Sequence, residues 1–203
     1  MLDGLFKSKI DLFWDRLGMF LVKLRLTPNM VTVGGLVLVV LSSLYFIVFK
    51  DSFWFGVFLA ITFAADSLDG AVARITGKST KFGSYLDAVA DRYQEILVYF
   101  VIAYVRGYWG SVFWVITGSL LISYNKARVA VDTPIRNDNW PDLLERMERV
   151  ILLCVTLLLD GLFPDKNILW YAIVIIAILA HFTAIQRFFR ARRILVKKDI
   201  SLK

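Results

Sequence analysis

Four aspartates stand where their type and spacing could do chemistry. Asp66 and Asp69 are three residues apart, and Asp87 and Asp91 are four apart, with a short connection between the pairs. At helical periodicity each pair lies on one face of its helix. Four carboxylates meeting across one hairpin repel one another unless something cationic sits among them. Arg74 and Arg92 could serve, but hard divalent ions held through oxygen are the more natural solution for an all-carboxylate cluster. Acids within apolar helices also mark ion-coupled transporters. Such acids belong near the bilayer midplane, whereas these gather toward one end of their helices, and no inverted repeat relates the two halves of the chain. The pattern therefore favours a metal-assisted reaction over transport.

The elements that position these acids are membrane helices. Of 203 residues 58% are hydrophobic, and the mean hydropathy is +0.64, too apolar for a soluble surface. The single cysteine, Cys154, makes no intramolecular disulfide and, without a Cys/His cluster, no thiolate metal site. A span needs ~20 mostly apolar residues. Val31–Phe49, Gly107–Asn125 and Asn167–Gln186 carry no Asp, Glu, Lys or Arg. Three more spans arise from about Ser52 to Arg74, from Phe82 to Val105, and from near Leu143 onward, each polar at one end. With the N-terminus inside, all of the 24 basic residues except Lys50, Arg106, Lys166 and Arg92 fall on the cytoplasmic side, as short inner loops require. The net charge of +7 is then topological, and nucleic-acid binding loses its support. Residues 1–26 read as neither signal peptide nor span; Leu5, Phe6, Ile10, Phe13, Trp14, Leu17, Phe20, Leu21 and Leu24 recur at helical spacing, with charges between them. The fold expected is all-α and integral to the membrane: an N-terminal amphipathic interfacial helix, a break at Thr27-Pro28-Asn29, and a six-span catalytic core over 27–203, together one domain. A hydrophilic connection, Asp132 to Asp142 with Pro134 and Pro141, faces the same side as the acids.

In full the motif reads Asp66-x-x-Asp69-Gly70-x-x-Ala73-Arg74, eight residues, Gly83-x-x-x-Asp87-x-x-x-Asp91. It resembles the signature of the CDP-alcohol phosphotransferases, with every fixed position filled. Thr27-Pro28-Asn29-x-Val31-Thr32 resembles that family's N-terminal segment. The resemblance implies displacement of CMP from a CDP-linked lipid alcohol by a small hydroxyl compound, with two magnesium or manganese ions. It implies Asp66, Asp69, Asp87 and Asp91 as metal ligands, with Asp91 also the base for the acceptor hydroxyl. Asn29, Thr32, Asp69, Gly70, Ala73, Arg74 and Gly83 are then the CDP-binding residues, Arg74 pairing with the pyrophosphate or holding the carboxylates. The glycines, lacking a Cβ, allow close helix approach and let a nucleotide lie against backbone. A multi-pass enzyme of the cell membrane is expected, homodimeric, with termini and active site cytoplasmic.

The C-terminal half bears on the acceptor. Ser123-Tyr124-Asn125-Lys126-Ala127-Arg128, Glu145-Arg146-Met147-Glu148-Arg149 and Gln186-Arg187 resemble the branch of the family that makes phosphatidylinositol phosphate or archaetidylinositol phosphate. That implies Lys126, Arg128, Arg146 and Arg187 as ligands of an acceptor phosphate, and inositol 1-phosphate as acceptor. Val129-Ala130-Val131 departs from the acidic residue usual after the Ala-Arg pair, so glycerol 3-phosphate or serine stays open. Plainer roles compete. The basic residues double as cytoplasmic anchors. His181 reads as an interhelical hydrogen-bond partner and Glu95 as structural support. Trp14, Trp54, Trp109, Trp114, Trp140 and Trp170 read mostly as interfacial belt residues.

Overall fold

The computed structural model describes residues 7–133 and 144–201, and all the regular structure among them is helical. Leu5, Phe6, Trp140 and the connection containing Pro134, Arg136 and Pro141 lie outside the described residues. Eight α-helices follow in order: α1 Lys7–Lys23, α2 Pro28–Phe49, α3 Ser52–Asp66, α4 Leu68–Thr76, α5 Lys81–Arg106, α6 Trp109–Asp132, α7 Arg146–Leu162 and α8 Ile168–Ser201, with a 3-10 turn at Pro164–Lys166. The chain divides into two compact units, one of Met1–Lys50 with Val57–Val98, the other of Asp51–Gly56 with Tyr99–Lys203.

In the first unit the break before α2 is where the sequence places it. Thr27 caps α2, its Oγ1 accepting from the Met30 amide at 3.3 Å, and Pro28 occupies the first turn, where its missing N–H costs nothing. Between α3 and α4 the helix is interrupted at Ser67 alone, so Asp66 ends one helix and Asp69 lies in the first turn of the next. Gly77, at φ 63°, ends α4, a left-handed conformation that suits glycine. Thr80 then starts α5 by accepting the Gly83 amide at 2.9 Å on its Oγ1. Where an interfacial helix is expected over 1–26, α1 spans Lys7–Lys23 and one face packs on protein: α1 lies against α4, and a Cβ on its buried Gly18 would stand 3.0 Å from Ile75 Cδ1 and 3.1 Å from Ala71 Cβ. Leu17, Met19, Phe20 and Leu24 remain exposed.

The second unit is built on α8, which packs along α6 and against α7. A Cβ on Gly118 of α6 would lie 2.9 Å from Ala180 Cβ, so the two helices approach closely there. Ile122, Ala180 and Ala184 form the buried seam below it. His181 Nε2 sits 3.0 Å from the Trp114 carbonyl oxygen and 3.4 Å from Thr117 Oγ1, the interhelical role read from the sequence.

Large apolar side chains face outward on α2 (Val33, Val37, Leu41, Leu44, Val48) and on α8 (Ile175, Ile178, Phe182, Ile185). Among the described residues three helical stretches are long and apolar enough to cross a membrane: Pro28–Phe49, Ser52–Thr76 and Ile168–Lys198. The other three expected spans do not meet that standard among the described residues. α5 carries Asp87, Asp91, Arg92 and Glu95 in its first half, α6 is diluted by Gly, Ser and Thr, and α7, apolar from Val150 to Leu159, has 17 residues. At 1.5 Å per residue the 34 residues of α8 reach roughly 50 Å, well beyond a hydrocarbon core of ~30 Å.

Candidate active site

Asp66, Asp87 and Asp91 converge. Each offers a carboxylate oxygen, and these oxygens all lie within 4.8 Å of one another. Asp66 is buried at the end of α3, while Asp87 and Asp91 stand half-buried one turn apart on α5. Arg92 Nη2 lies 3.6 Å from Asp91 Oδ2. Asp69, expected with them, stands outside this trio: its Oδ2 accepts the Thr32 hydroxyl at 2.7 Å, tying α4 to α2. Glu95, one turn past Asp91, is buried.

A cavity of about 300 Å³ opens beside the acids, lined by Asn29, Thr32, Asp69, Gly70, Ala73, Arg74, Gly83 and Asp87 and by Pro28, Lys78, Ser79, Thr80 and Ser84. Each residue expected to bind CDP is therefore on one wall or another of a single cavity, and Asp87 joins that cavity to the carboxylate trio. The Lys78–Thr80 connection was not singled out from the sequence; its signal is its position between Gly77 and Gly83, inside the motif's unspecified stretch. The two motif glycines differ. A Cβ on Gly83 would stand 3.1 Å from Thr80 Oγ1 and 3.2 Å from Asn29 Oδ1, a close approach. On Gly70 it would meet only Arg74 Nη1, at 3.7 Å. Gly70 thus leaves cavity wall open instead of admitting a neighbouring helix. Arg74 extends to α1, its Nη2 3.1 Å from Asp15 Oδ1, and does not make the contact with the carboxylates that the sequence left open as one of its two roles.

Two residues outside the motif shape the trio. Gln94, fully buried on α5, donates from Nε2 to Asp66 Oδ1 at 3.1 Å. A Cβ on Gly35 would stand 2.8 Å from the same oxygen.

The donor set suits a particular kind of cation. Three carboxylate oxygens at this separation form an all-oxygen site, which fits Mg²⁺ or Mn²⁺ rather than Zn²⁺.

Residues 25–182 match the CDP-alcohol phosphatidyltransferase family. The chain belongs to that family. An archaetidylinositol phosphate synthase of Pyrococcus horikoshii is 33% identical over 190 residues, covering 92% of this chain and 95% of that protein. A phosphatidylinositol phosphate synthase of Mycobacteroides abscessus is 32% identical over 179 residues, 85% of this chain and 80% of that one. Among solved structures, the phosphatidylinositol phosphate synthase of Mycobacterium tuberculosis with CDP-DAG bound superposes at a TM-score of 0.76 with 27% identity, covering 88% of this chain and 92% of that one. The same enzyme in complex with manganese and citrate gives 0.77 and 26%, covering 88% of each chain. Family membership makes the protein a transferase of phospholipid biosynthesis and sets transport aside.

The basic residues expected at the acceptor belong to the second unit. Arg187, buried on α8, donates from Nη1 to the Ile122 carbonyl at 2.6 Å and lies 3.6 Å from Glu145 Oε1. Glu145 immediately precedes Arg146 at the start of α7, so these motif residues do come together. Arg128 is exposed and pairs with Asp132 at 2.8 Å, one turn on. Lys126 is half-buried on α6. Asn125, from the same stretch, donates from Nδ2 to the Ala184 carbonyl at 3.1 Å. Part of this pattern therefore fastens α6 to α8. Arg149, almost wholly buried, donates to the Leu144 carbonyl at 3.1 Å.

Proposed function

We propose that this chain transfers the phosphatidyl-type group of a CDP-linked lipid, CDP-diacylglycerol or CDP-archaeol, to inositol 1-phosphate and releases CMP. The observation that carries this reading is the continuity of the carboxylate trio with the cavity that gathers Asn29, Thr32, Asp69, Gly70, Ala73, Arg74 and Gly83. The identity to an archaetidylinositol phosphate synthase over nearly the whole chain supports the acceptor.

The cavity residues bind the cytidine diphosphate: Arg74 supplies a guanidinium for the pyrophosphate, and the bare backbone at Gly70 and Gly83 leaves room for it. Asp66, Asp87 and Asp91 hold the divalent ion, with Asp69 the residue that joins them if a second ion binds. Bound there, Mg²⁺ or Mn²⁺ supplies Lewis-acid stabilisation of the phosphate oxygens. Asp91 accepts the proton of the acceptor hydroxyl as its oxygen forms a bond to the lipid-bearing phosphorus. The bond from that phosphorus to the CMP oxygen breaks, and CMP leaves with the electron pair. Lys126, Arg128, Arg146 and Arg187 bind the phosphate the acceptor already carries, Arg187 while also holding Ile122.

The enzyme works as a homodimer, as the family resemblance implies, and crosses the cell membrane six times with its termini and active site on the cytoplasmic side, a topology that the distribution of Lys and Arg supports. Labelling of single cysteines near Ser79 or Asn137 from outside the cell contradicts that topology. Function is tested by CMP release from purified protein with CDP-lipid and divalent metal against a panel of acceptors. Inositol 1-phosphate is expected to give the fastest release; faster release with free inositol, serine or glycerol 3-phosphate overturns the acceptor assignment and leaves the metal site standing.

A further inference from the structure

We propose that Gln94 is a positioning residue for Asp66, and that Gly35 closes the seat in which that carboxylate is held. The inference rests on the metal-binding reading of the aspartate trio. Gln94 lies three residues after Asp91 and seven after Asp87, which puts all three on one face of α5. Its side chain is wholly buried, and its amide meets Asp66 Oδ1 at 3.1 Å from across the interface with α3. From the α2 side the Gly35 backbone comes so near that a Cβ there would stand 2.8 Å from Oδ1 and 3.4 Å from Gln94 Nε2. The neighbouring Gly34 has open space at the same position, so of the two adjacent glycines Gly35 is the one that comes close.

A carboxylate turns freely about its last torsion unless something fixes it. Here an amide donor fixes the Asp66 carboxylate while leaving its charge intact. A lysine or arginine in place of Gln94 would hold the carboxylate equally well but would offset the charge that attracts a divalent ion. A neutral donor set beside a ligand carboxylate orients the ligand and sharpens affinity, and loss of such an outer partner typically lowers metal affinity ~10–100-fold.

The test uses the full-length protein purified in nanodiscs. Free Mn²⁺ is followed by electron paramagnetic resonance during titration, and CMP release is measured across the same Mn²⁺ range. Gln94→Met keeps the length and bulk of the side chain and removes the donor. It is expected to raise the Mn²⁺ dissociation constant about 10–100-fold, with CMP release returning to near the wild-type rate at saturating Mn²⁺ and thermal unfolding in chelator unchanged. A merely structural residue moves thermal unfolding and is not rescued by Mn²⁺. Should Gln94→Met fail to fold, Gly35→Ala decides, because its methyl displaces the same oxygen and is expected to weaken Mn²⁺ in the same way. Wild-type Mn²⁺ affinity in Gln94→Met, or in Gly35→Ala where that variant decides, with affinity lost in Asp66→Asn, overturns the positioning role and leaves the metal site in place. Wild-type affinity in Asp66→Asn overturns the metal reading and the role of Gln94 with it.

Discussion

Asp66 and Asp160 are both buried acids in the last turn of an apolar helix, yet their surroundings differ in kind. In the second unit Asp160 Oδ2 receives Arg106 Nη2 at 2.7 Å and the Ser52 hydroxyl at 2.8 Å, while Oδ1 accepts the Leu169 amide at 3.2 Å. Arg106 Nη2 also reaches Ser52 Oγ at 2.6 Å. One carboxylate thus joins the end of α5, the beginnings of α3 and α8, and α7, and its charge is met by a guanidinium. In the first unit three carboxylates from two helices approach within 4.8 Å of one another, with an amide orienting one of them. Burying a charge is tolerated when donors surround it. Bringing like charges together is unfavourable unless cations join them; Arg92 lies 3.6 Å from Asp91 Oδ2, and a divalent ion is the further cation proposed for the trio. The first arrangement is a structural joint, and the second is the one proposed above as an ion site.

The widest separation between the two comes from neutralising the acids. Asp66→Asn, Asp87→Asn and Asp91→Asn are expected to cut CMP release by about 100-fold or more with little change in thermal unfolding. Asp91→Asn should retain Mn²⁺ and CDP-lipid binding better than rate. Equal loss of Mn²⁺ affinity in all three removes the separate role of Asp91. Asp160→Ala should do the reverse, costing about 3 kcal/mol of stability by removing the carboxylate that meets the Arg106 charge, with turnover per folded molecule preserved. A catalytic defect in a normally stable Asp160→Ala protein overturns the purely structural role of Asp160.

Arg146→Ala and Arg187→Ala should each raise the KM for inositol 1-phosphate roughly ten- to hundredfold, the value of a charge-assisted phosphate contact of ~1.5–3 kcal/mol, while leaving that for CDP-lipid nearly unchanged. Arg187→Ala should also lower thermal stability, because it removes the donor to the Ile122 carbonyl. If stability falls in both variants and KM moves in neither, both arginines belong with Asp160 among the joints. The smallest effect is expected at Asp15→Ala. Its pair with Arg74 is exposed on both sides and contributes within about 1 kcal/mol, so unfolding and the CDP-lipid KM should shift little.

How much of this was legible in the sequence follows from where each signal lives. The aspartate spacing and the Thr27-Pro28 break are local patterns, and the structure brings together Asp66, Asp87 and Asp91 and gathers the motif's other fixed residues around one cavity. The departure of Asp69 toward Thr32 depends on how α2 meets α4, which spacing alone does not encode. Gly34 and Gly35 are indistinguishable in the sequence, and helix rotation alone makes one of them tight. Gln94 had a signal, the periodicity shared with Asp87 and Asp91. Asp160 had one too: it is an acid at the end of an apolar stretch, the feature that singles out Asp66. Its partner Arg106, read as an outer-loop charge, lies 54 residues earlier, a pairing only the tertiary fold reveals.

On the proposed function the carboxylate trio binds the divalent ion on which transfer depends. The most direct test of that binding is CMP release by chelator-treated protein, with the best acceptor of the panel, before and after Mn²⁺ is restored, in the wild type and in Asp87→Asn. Release should vanish on chelation and return with Mn²⁺ in the wild type, with no comparable return in Asp87→Asn. Release that persists in chelator, or that Mn²⁺ restores equally in both proteins, contradicts a divalent ion held by the trio.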